Sequence, residues 1–288
     1  MGYQGRFAPS PTGALHFGSL VAAVGSYLDA KHQQGQWLVR IEDLDTPRNV
    51  AGAADAILRT LENYGLYWDE TVVYQSQRIH LYEVALEQLK KQQVCYPCVC
   101  SRKTIAAQQG EGVYSGRCRN GILSPTRQPA AWRLHIDDSI IRFTDRLQGD
   151  ISQHLATKVG DFVIKRADGV FAYQLAVVVD DAAQGINHVV RGADLLDSTP
   201  RQIFLQHQLG LPTPCYLHLP LVVNAQGEKL SKQTLAQAIS QQHPVATLYD
   251  ALCFLQQHPP IELQHSDLTT LWDWAIAHWQ PHAITHPA

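Results

Sequence analysis

Two polar segments, far apart in the chain, carry groups suited to handling an anion. The first, "RFAPSPTGALHFGS" (Arg6 to Ser19), sets a Pro/Gly turn ahead of a helix-like apolar run. That turn presents His16 and Gly18 at a helix start, where unpaired backbone N–H groups and a positive macrodipole end favour phosphate. Gly18 lets a ligand approach the backbone, Gly13 and Gly18 permit unusual angles, and His16 is a donor aimed at the same anion. The second, "NAQGEKLSKQT", holds Lys229, Ser231 and Lys232 in a polar loop. The first segment is neither a G-x-G-x-x-G dinucleotide fingerprint nor a P-loop. A third group is metal-like: Cys98 and Cys100, followed by Cys118 in "YSGRC", can converge on a tetrahedral ion with one further ligand. Six cysteines in 288 residues are too few for a disulfide scaffold, and Cys215 and Cys253 stand alone.

The elements that must position these groups read as α/β. An apolar strand over 3–8 precedes a helical pattern over 18–31, with Leu20, Val21, Val24, Tyr27 and Leu28 on one face. "WLVRIED", a helix over 52–63 and the strand "TVVYQS" continue the alternation, which predicts a parallel sheet. From Leu81 the character changes to a Gln-rich helix, the cysteine cluster and strand-like pieces "AAWRLHI" and "DFVIKRADG". Alternation resumes with "FAYQLAVVVDD", in which "QLAVVVDD" reads as a buried strand, then "HVVRGADLL" and a helix near Pro200 capped by Ser198 or Thr199. A last helix over 268–279 packs its tryptophans. The expected organisation is a first catalytic half over 1–80, an insertion over 81–170, a second half over 171–225, and the basic loop with a short helical region over 226–288.

A net charge of −3 excludes a whole-protein electrostatic pull on nucleic acid. RNA contact must then be local, through Arg102, Lys103, Arg117, Arg119 and Arg127. No apolar run reaches about 18 residues and no secretory pattern opens the chain, so a cytoplasmic protein without a membrane partner is expected.

"RFAPSPTGALHFGS", "VRIEDLD", "VVRGADLLDSTPRQ" and "EKLSK", in this order from about Gly5 to Gln233, resemble the catalytic domain of class I glutamyl-tRNA synthetases. The resemblance implies a Rossmann-like parallel sheet split by a zinc-binding insertion, and two motifs that jointly hold ATP with Mg²⁺. The stretch from Gln233 to Ala288 is short for an anticodon-binding domain, and this shorter form resembles the glutamyl-queuosine tRNA(Asp) synthetases. That family likeness implies activation of L-glutamate and its transfer to queuosine at the wobble position of tRNA(Asp), by a monomer.

Residue by residue, the resemblance places Pro9, His16, Gly18, Ser19, Lys229, Ser231 and Lys232 at ATP, with His16, Gly18, Lys229 and Lys232 catalytic. It places Arg6, Ala8, Ser10, Glu42, Tyr173 and Arg191 at glutamate. Tyr114 is the family's fourth zinc ligand beside Cys98, Cys100 and Cys118, with Cys95 as the alternative. This chain departs from the pattern at Ser19, Leu230 and Gln233, and carries Val177 and Leu195 where full-length enzymes have Asn and Trp, which implies a more apolar pocket.

The chemistry is consistent with these types. Attack of a carboxylate on the α-phosphorus builds negative charge on the α-phosphate and pyrophosphate, which cations and donors from two sides stabilise. Guanidinium groups meet carboxylates bidentately, and Glu42 suits an ammonium. The alternatives are ordinary charging of a tRNA 3′ end, activation of another small acid, and a non-catalytic RNA-binding relative.

Overall fold

The computed structural model describes residues 2–101, 103–105, 113–114, 116–122, 129–223, 239–240 and 242–285. Strands β1 (Gln4–Phe7), β2 (Gln36–Ile41) and β3 (Val73–Tyr74) pair in parallel. A second run pairs β9 (His188–Gly192), β10 (Cys215–Leu219) and β6 (Ile140–Asp145) in parallel, and β7 (Gly149–His154) folds back antiparallel on β6. Gln4 and Asn187 join β1 to the start of β9: the Gln4 N–H donates to Asn187 Oδ1 at 2.8 Å and the Asn187 N–H to the Gln4 carbonyl at 3.0 Å.

Register sorts the side chains onto two faces. Arg6 pairs with Leu38 and Arg191 with His218, so the period of two puts Arg6, Leu38, Arg40, Arg191, Tyr216 and His218 on one face. Phe7, Trp37, Val39, Ile41, Val190, Leu217 and Leu219 point the other way into an apolar core. Helices α1 (Phe17–His32), α2 (Ala53–Asn63), α7 (Pro244–Phe254) and α8 (Leu268–Ala277) cover that apolar face. Gly25 of α1 sits so close to β10 that a Cβ would meet Leu219 Cδ1 at 2.5 Å. The charged face lies under α3 (Ile79–Lys91), α5 (Tyr173–Ala183) and α6 (Thr199–Leu209).

The chain also builds a small antiparallel sheet from β4 (Cys95–Cys98), β5 (Ala131–Leu134) and β8 (Val163–Lys165), with β6 and β7 intervening in sequence between β5 and β8. A single helical turn, α4 (Leu155–Lys158), separates β7 from β8. Strand β6, inside the expected 81–170 insertion, hydrogen-bonds onto β10, and β7 follows it as the sheet's edge.

The segment "QLAVVVDD" is a helix, not a buried strand. Leu175, Ala176, Val177 and Val178 are consecutive and all buried, because α5 is wedged between the sheet, α3 and α6. A short helix buried on most sides loses the 3.6-residue signature, and its three valines imitate a strand. At α6, Pro200 sits in the first turn as expected, but neither Ser198 nor Thr199 caps it: the Ser198 side chain makes no cap hydrogen bond. Thr199 is fully buried and turned to Arg191 instead.

Candidate active site and metal centre

β1 ends at Phe7 and β9 at Gly192, and the chain leaves them toward opposite sides of the sheet. Doubly wound sheets bind ligands in the crevice at such a switch point. Here the crevice is a cavity of about 860 Å³ whose walls include Arg6, Ala8, Pro9, Ser10, His16, Gly18, Ser19, Glu42, Tyr173 and Arg191. These are all the predicted ATP and glutamate residues that precede the basic loop. Lys229, Ser231 and Lys232 lie outside the described residues. Leu195 lines the cavity, whereas Val177 is buried in the core behind it.

The approach to α1 explains its opening. Gly13, at φ 134°, makes the turn, and the loop is tied back by the Glu42 N–H to the Pro9 carbonyl and the Val50 N–H to the Pro11 carbonyl. Gly18 belongs to the first turn of α1 and is not among the positive-φ glycines, so the unusual backbone angle is Gly13's. His16 is the N-cap: its Nδ1 accepts from the Ser19 N–H at 3.3 Å, and its Nε2 lies 3.1 Å from Ser19 Oγ. An accepting Nδ1 in a neutral ring puts the hydrogen on Nε2. No acidic side chain occupies the first turn, so the helix's positive end faces the cavity undiluted.

Beneath the cavity lies a buried charge network. Asp181 of α5 accepts from Arg6 at 3.1 Å and Arg40 at 2.8 Å, and Arg40 also reaches Glu42 at 3.4 Å. Asp180, fully buried, takes Arg78 at 2.6 Å, Tyr82 Oη at 2.6 Å and Gln75 at 2.9 Å. Asp181 beneath the cavity and Glu42 in its wall shift in opposite directions. Burial pushes Asp181 up, but Arg6 and Arg40 outweigh it and hold the carboxyl below its ordinary range. For Glu42 burial wins over Arg40 and Arg6, and its carboxyl is raised. Glu42 is therefore a carboxylate still short of positive charge.

Arg191 is the reverse case. The residue is 5% exposed, and its guanidinium donates to His218 Nε2 at 3.0 Å, Tyr173 Oη at 3.2 Å, Thr199 Oγ1 at 2.8 Å and Gln202 Oε1 at 2.8 Å. Among the described residues it has no carboxylate partner. A buried cation without a carboxylate partner and a carboxylate whose arginine is shared with Asp181 thus face one cavity.

Sequence reasoning passed over Arg40, Asp180, Asp181, Asp145, Thr199, Gln202 and His218. The spacing of Arg40 and Glu42 in "VRIED" was a usable signal, since i and i+2 share a strand face. The others depend on reading α5 as a helix or on cross-strand register.

In the small sheet's outer end, Cys98, Cys100 and Cys118 hold their Sγ atoms within 4.8 Å of one another. Tyr114 Oη lies 3.2 Å from Cys98 Sγ and 3.6 Å from Cys100 Sγ, and Cys100 and Cys118 Sγ are 3.6 Å apart. Tetrahedral Zn–S bonds of about 2.3 Å require S···S near 3.8 Å, so the donor set fits zinc. Cys95 is not in this group: its side chain packs in the second core, where burial raises its thiol to about 11. Of the expected basic contacts, Arg119 is held by Asp161 at 2.6 Å, Lys103 and Arg117 are exposed, and Arg102 and Arg127 fall outside the described residues.

A doubly wound sheet with its cavity at the switch point and a capped helix N-terminus in the wall is a nucleotide-handling catalytic domain. The chain matches the family of class I tRNA synthetases (E and Q), catalytic domain, over residues 4–247. It is 59% identical to a glutamyl-Q tRNA(Asp) synthetase of Dechloromonas aromatica (strain RCB), covering 98% of this chain and 95% of that one. It is 56% identical to the protein of the same name from Thiobacillus denitrificans (strain ATCC 25259 / T1), with the same coverage. The crystal structure of a glutamate-tRNA synthetase from Elizabethkingia anophelis superposes with a TM-score of 0.81 at 26% identity, over 99% of this chain and 67% of that one. The chain belongs to the class I tRNA synthetases of the E and Q type and, within them, to the glutamyl-Q tRNA(Asp) synthetases.

Proposed function

We propose that this protein activates L-glutamate with ATP to glutamyl-adenylate and transfers the glutamyl group to queuosine at the wobble position of tRNA(Asp). The observation that carries the first step is that Arg191, which has no carboxylate partner among the described residues, and Glu42, which shares Arg40 with Asp181, lie in one cavity wall beside the N-terminus of α1. An α-amino acid supplies both counter-ions. Arg191 takes a carboxylate, Glu42 takes the ammonium, and Arg6, Ala8, Ser10 and Tyr173 complete the amino-acid subsite. Pro9, His16, Gly18 and Ser19 hold ATP from one flank, while Lys229, Ser231 and Lys232 close from the other. The glutamate carboxylate oxygen attacks the α-phosphorus, and the bond to pyrophosphate breaks. His16 and the helix end stabilise the charge that grows there. Loss of one such donor costs about 10²–10³ in rate.

Mg²⁺ accompanies ATP and neutralises pyrophosphate charge when bound. Zinc, held by Cys98, Cys100, Tyr114 and Cys118, is structural. The protein works as a cytoplasmic monomer; no helix among the described residues is long and apolar enough to cross a membrane.

The support for tRNA(Asp) as acceptor is the 59% and 56% identity to enzymes named for it. The test incubates enzyme, ATP and labelled glutamate with tRNA from cells that make queuosine and from cells that do not. Label confined to the queuosine-containing pool, and retained after removal of the 3′-terminal nucleotide, is expected. Label on both pools that leaves with that nucleotide overturns the transfer step.

A further inference from the structure

Arg191 is backed by a relay that the roles above leave unused. Asp145, at the end of β6, and His218, on β10, are both completely buried, and His218 Nδ1 lies 2.6 Å from Asp145 Oδ2. Asp145 Oδ1 accepts three further backbone N–H groups, from Leu147 at 3.0 Å, Gln148 at 2.9 Å and His218 at 3.2 Å. Burial pushes this carboxyl up, but the hydrogen bonds from His218 and the backbone outweigh it and keep it ionised. An ionised carboxylate only accepts, so the hydrogen of this pair sits on Nδ1.

The other side of the ring is fixed by the same logic. His218 Nε2 lies 3.0 Å from Arg191 Nε, which only donates. Nε2 must therefore present a lone pair, and the ring is neutral. The charged groups around it are Asp145 on β6, Arg191 on β9 and Arg6 on β1, with the Tyr216 ring stacked at 6.0 Å on its own strand. From α6 only the hydroxyl of Thr199 reaches it, at 3.1 Å. Burial, Arg191 and Arg6 all disfavour the imidazolium and outweigh Asp145.

The consequence falls on the guanidinium. Nε is committed to His218, and the NH2 edge to Thr199 and Gln202, which leaves the NH1 edge, shared with Tyr173, toward the cavity. We propose that His218, oriented by Asp145, is a positioning residue that holds Arg191 in the one orientation able to receive a carboxylate of the amino-acid substrate. This rests on the assignment of glutamate activation above and extends it to groups that never touch the substrate.

The experiment is glutamate-dependent ATP–pyrophosphate exchange with wild type, His218→Leu and His218→Gln. The Leu variant removes the acceptor, and a hydrogen bond to a charged group is worth a factor of roughly 10 to 100. Its KM for glutamate is expected to rise by that factor, with kcat and the KM for ATP within about threefold of wild type. The Gln variant offers an amide oxygen in place of Nε2 and is expected to restore most of the glutamate KM. Histidine ¹⁵N spectra of the wild type, with the His218 signals identified by their loss in His218→Gln, should show a neutral ring protonated on Nδ1. Equal KM increases in both variants, or a loss shared with kcat and ATP, overturn the inference, as does a ring protonated on Nε2. A wild type without glutamate-dependent exchange overturns the functional assignment; exchange without the Leu–Gln split overturns this inference alone.

Discussion

Glu42 in the cavity wall and Asp181 beneath it make opposite predictions. Glu42 is raised by burial, so its ionised form costs stability at neutral pH. A raised carboxyl favours the folded state fully below its unfolded value near 4.5, and that advantage disappears as pH rises through the folded value. Glu42→Gln removes the charge, and the free enzyme at pH 7 should be as stable as wild type or more so, by up to about 1 kcal/mol in urea unfolding. The same change should raise the KM for glutamate at least about tenfold, because the ammonium loses its counter-ion. Asp181 is held low by Arg6 and Arg40, so its contribution is present above pH 3.8 and is lost as pH falls through the folded value. Asp181→Asn takes from Arg6 its carboxylate and leaves Arg40 with Glu42 at 3.4 Å and Asp180 at 3.9 Å, and should cost about 3 kcal/mol at pH 7. The gap to wild type should narrow only below pH 3.8. A variant as stable as wild type at pH 7 would show that Arg6 and Arg40 are compensated elsewhere.

Among the elements, what was legible in the sequence was what short-range pattern encodes. Motif spacing placed His16 at a helix start and grouped Cys98, Cys100 and Cys118, and alternation drew the central strands. Hidden from it were α5, whose apolar residues are buried around most of its circumference, and the facing of His218 on Arg191, which is set by strand register. Tyr114, expected from the family resemblance as a fourth zinc ligand, is held beside the cysteines by a tertiary contact that spacing alone does not encode. Tyr114 bridges to Gly160, at φ 68°, where a Cβ would meet the Tyr114 carbonyl oxygen at 2.6 Å. Gly160→Ala is thus strained twice, in its own backbone and against Tyr114. The wild type should carry about one zinc ion per chain. Gly160→Ala should lose that zinc to a chelator faster, while Cys95→Ser, outside the cluster, should not; metal content after timed dialysis against chelator checks both.

At the scale of the whole molecule, the C-terminal helices are part of the catalytic core. Leu248, Leu252, Leu271 and Trp272 share one apolar cluster with Leu20, Val24 and Tyr27 of α1, the helix whose N-terminus faces the cavity. Asp29 of that helix binds this assembly together. It accepts from Tyr3 Oη at 2.6 Å, from Arg146 at 2.6 and 2.9 Å, and from Trp279 Nε1 at 3.1 Å, so the N-terminus, the β6–β7 turn and the segment after α8 meet on one carboxylate. Burial would raise that carboxyl, but Arg146, Tyr3 and Trp279 hold it below its ordinary range. Units that share a core and a buried polar hub should melt together. Trp279 is 3% exposed, and truncating such a residue costs about 3–5 kcal/mol. Trp279→Ala should therefore lower Tm by roughly 5–8 °C, with near-UV and far-UV circular dichroism still following one transition. If instead the far-UV signal splits, with a first phase that leaves ATP binding intact, the C-terminal helices are an independent unit and α1 is held by the sheet alone.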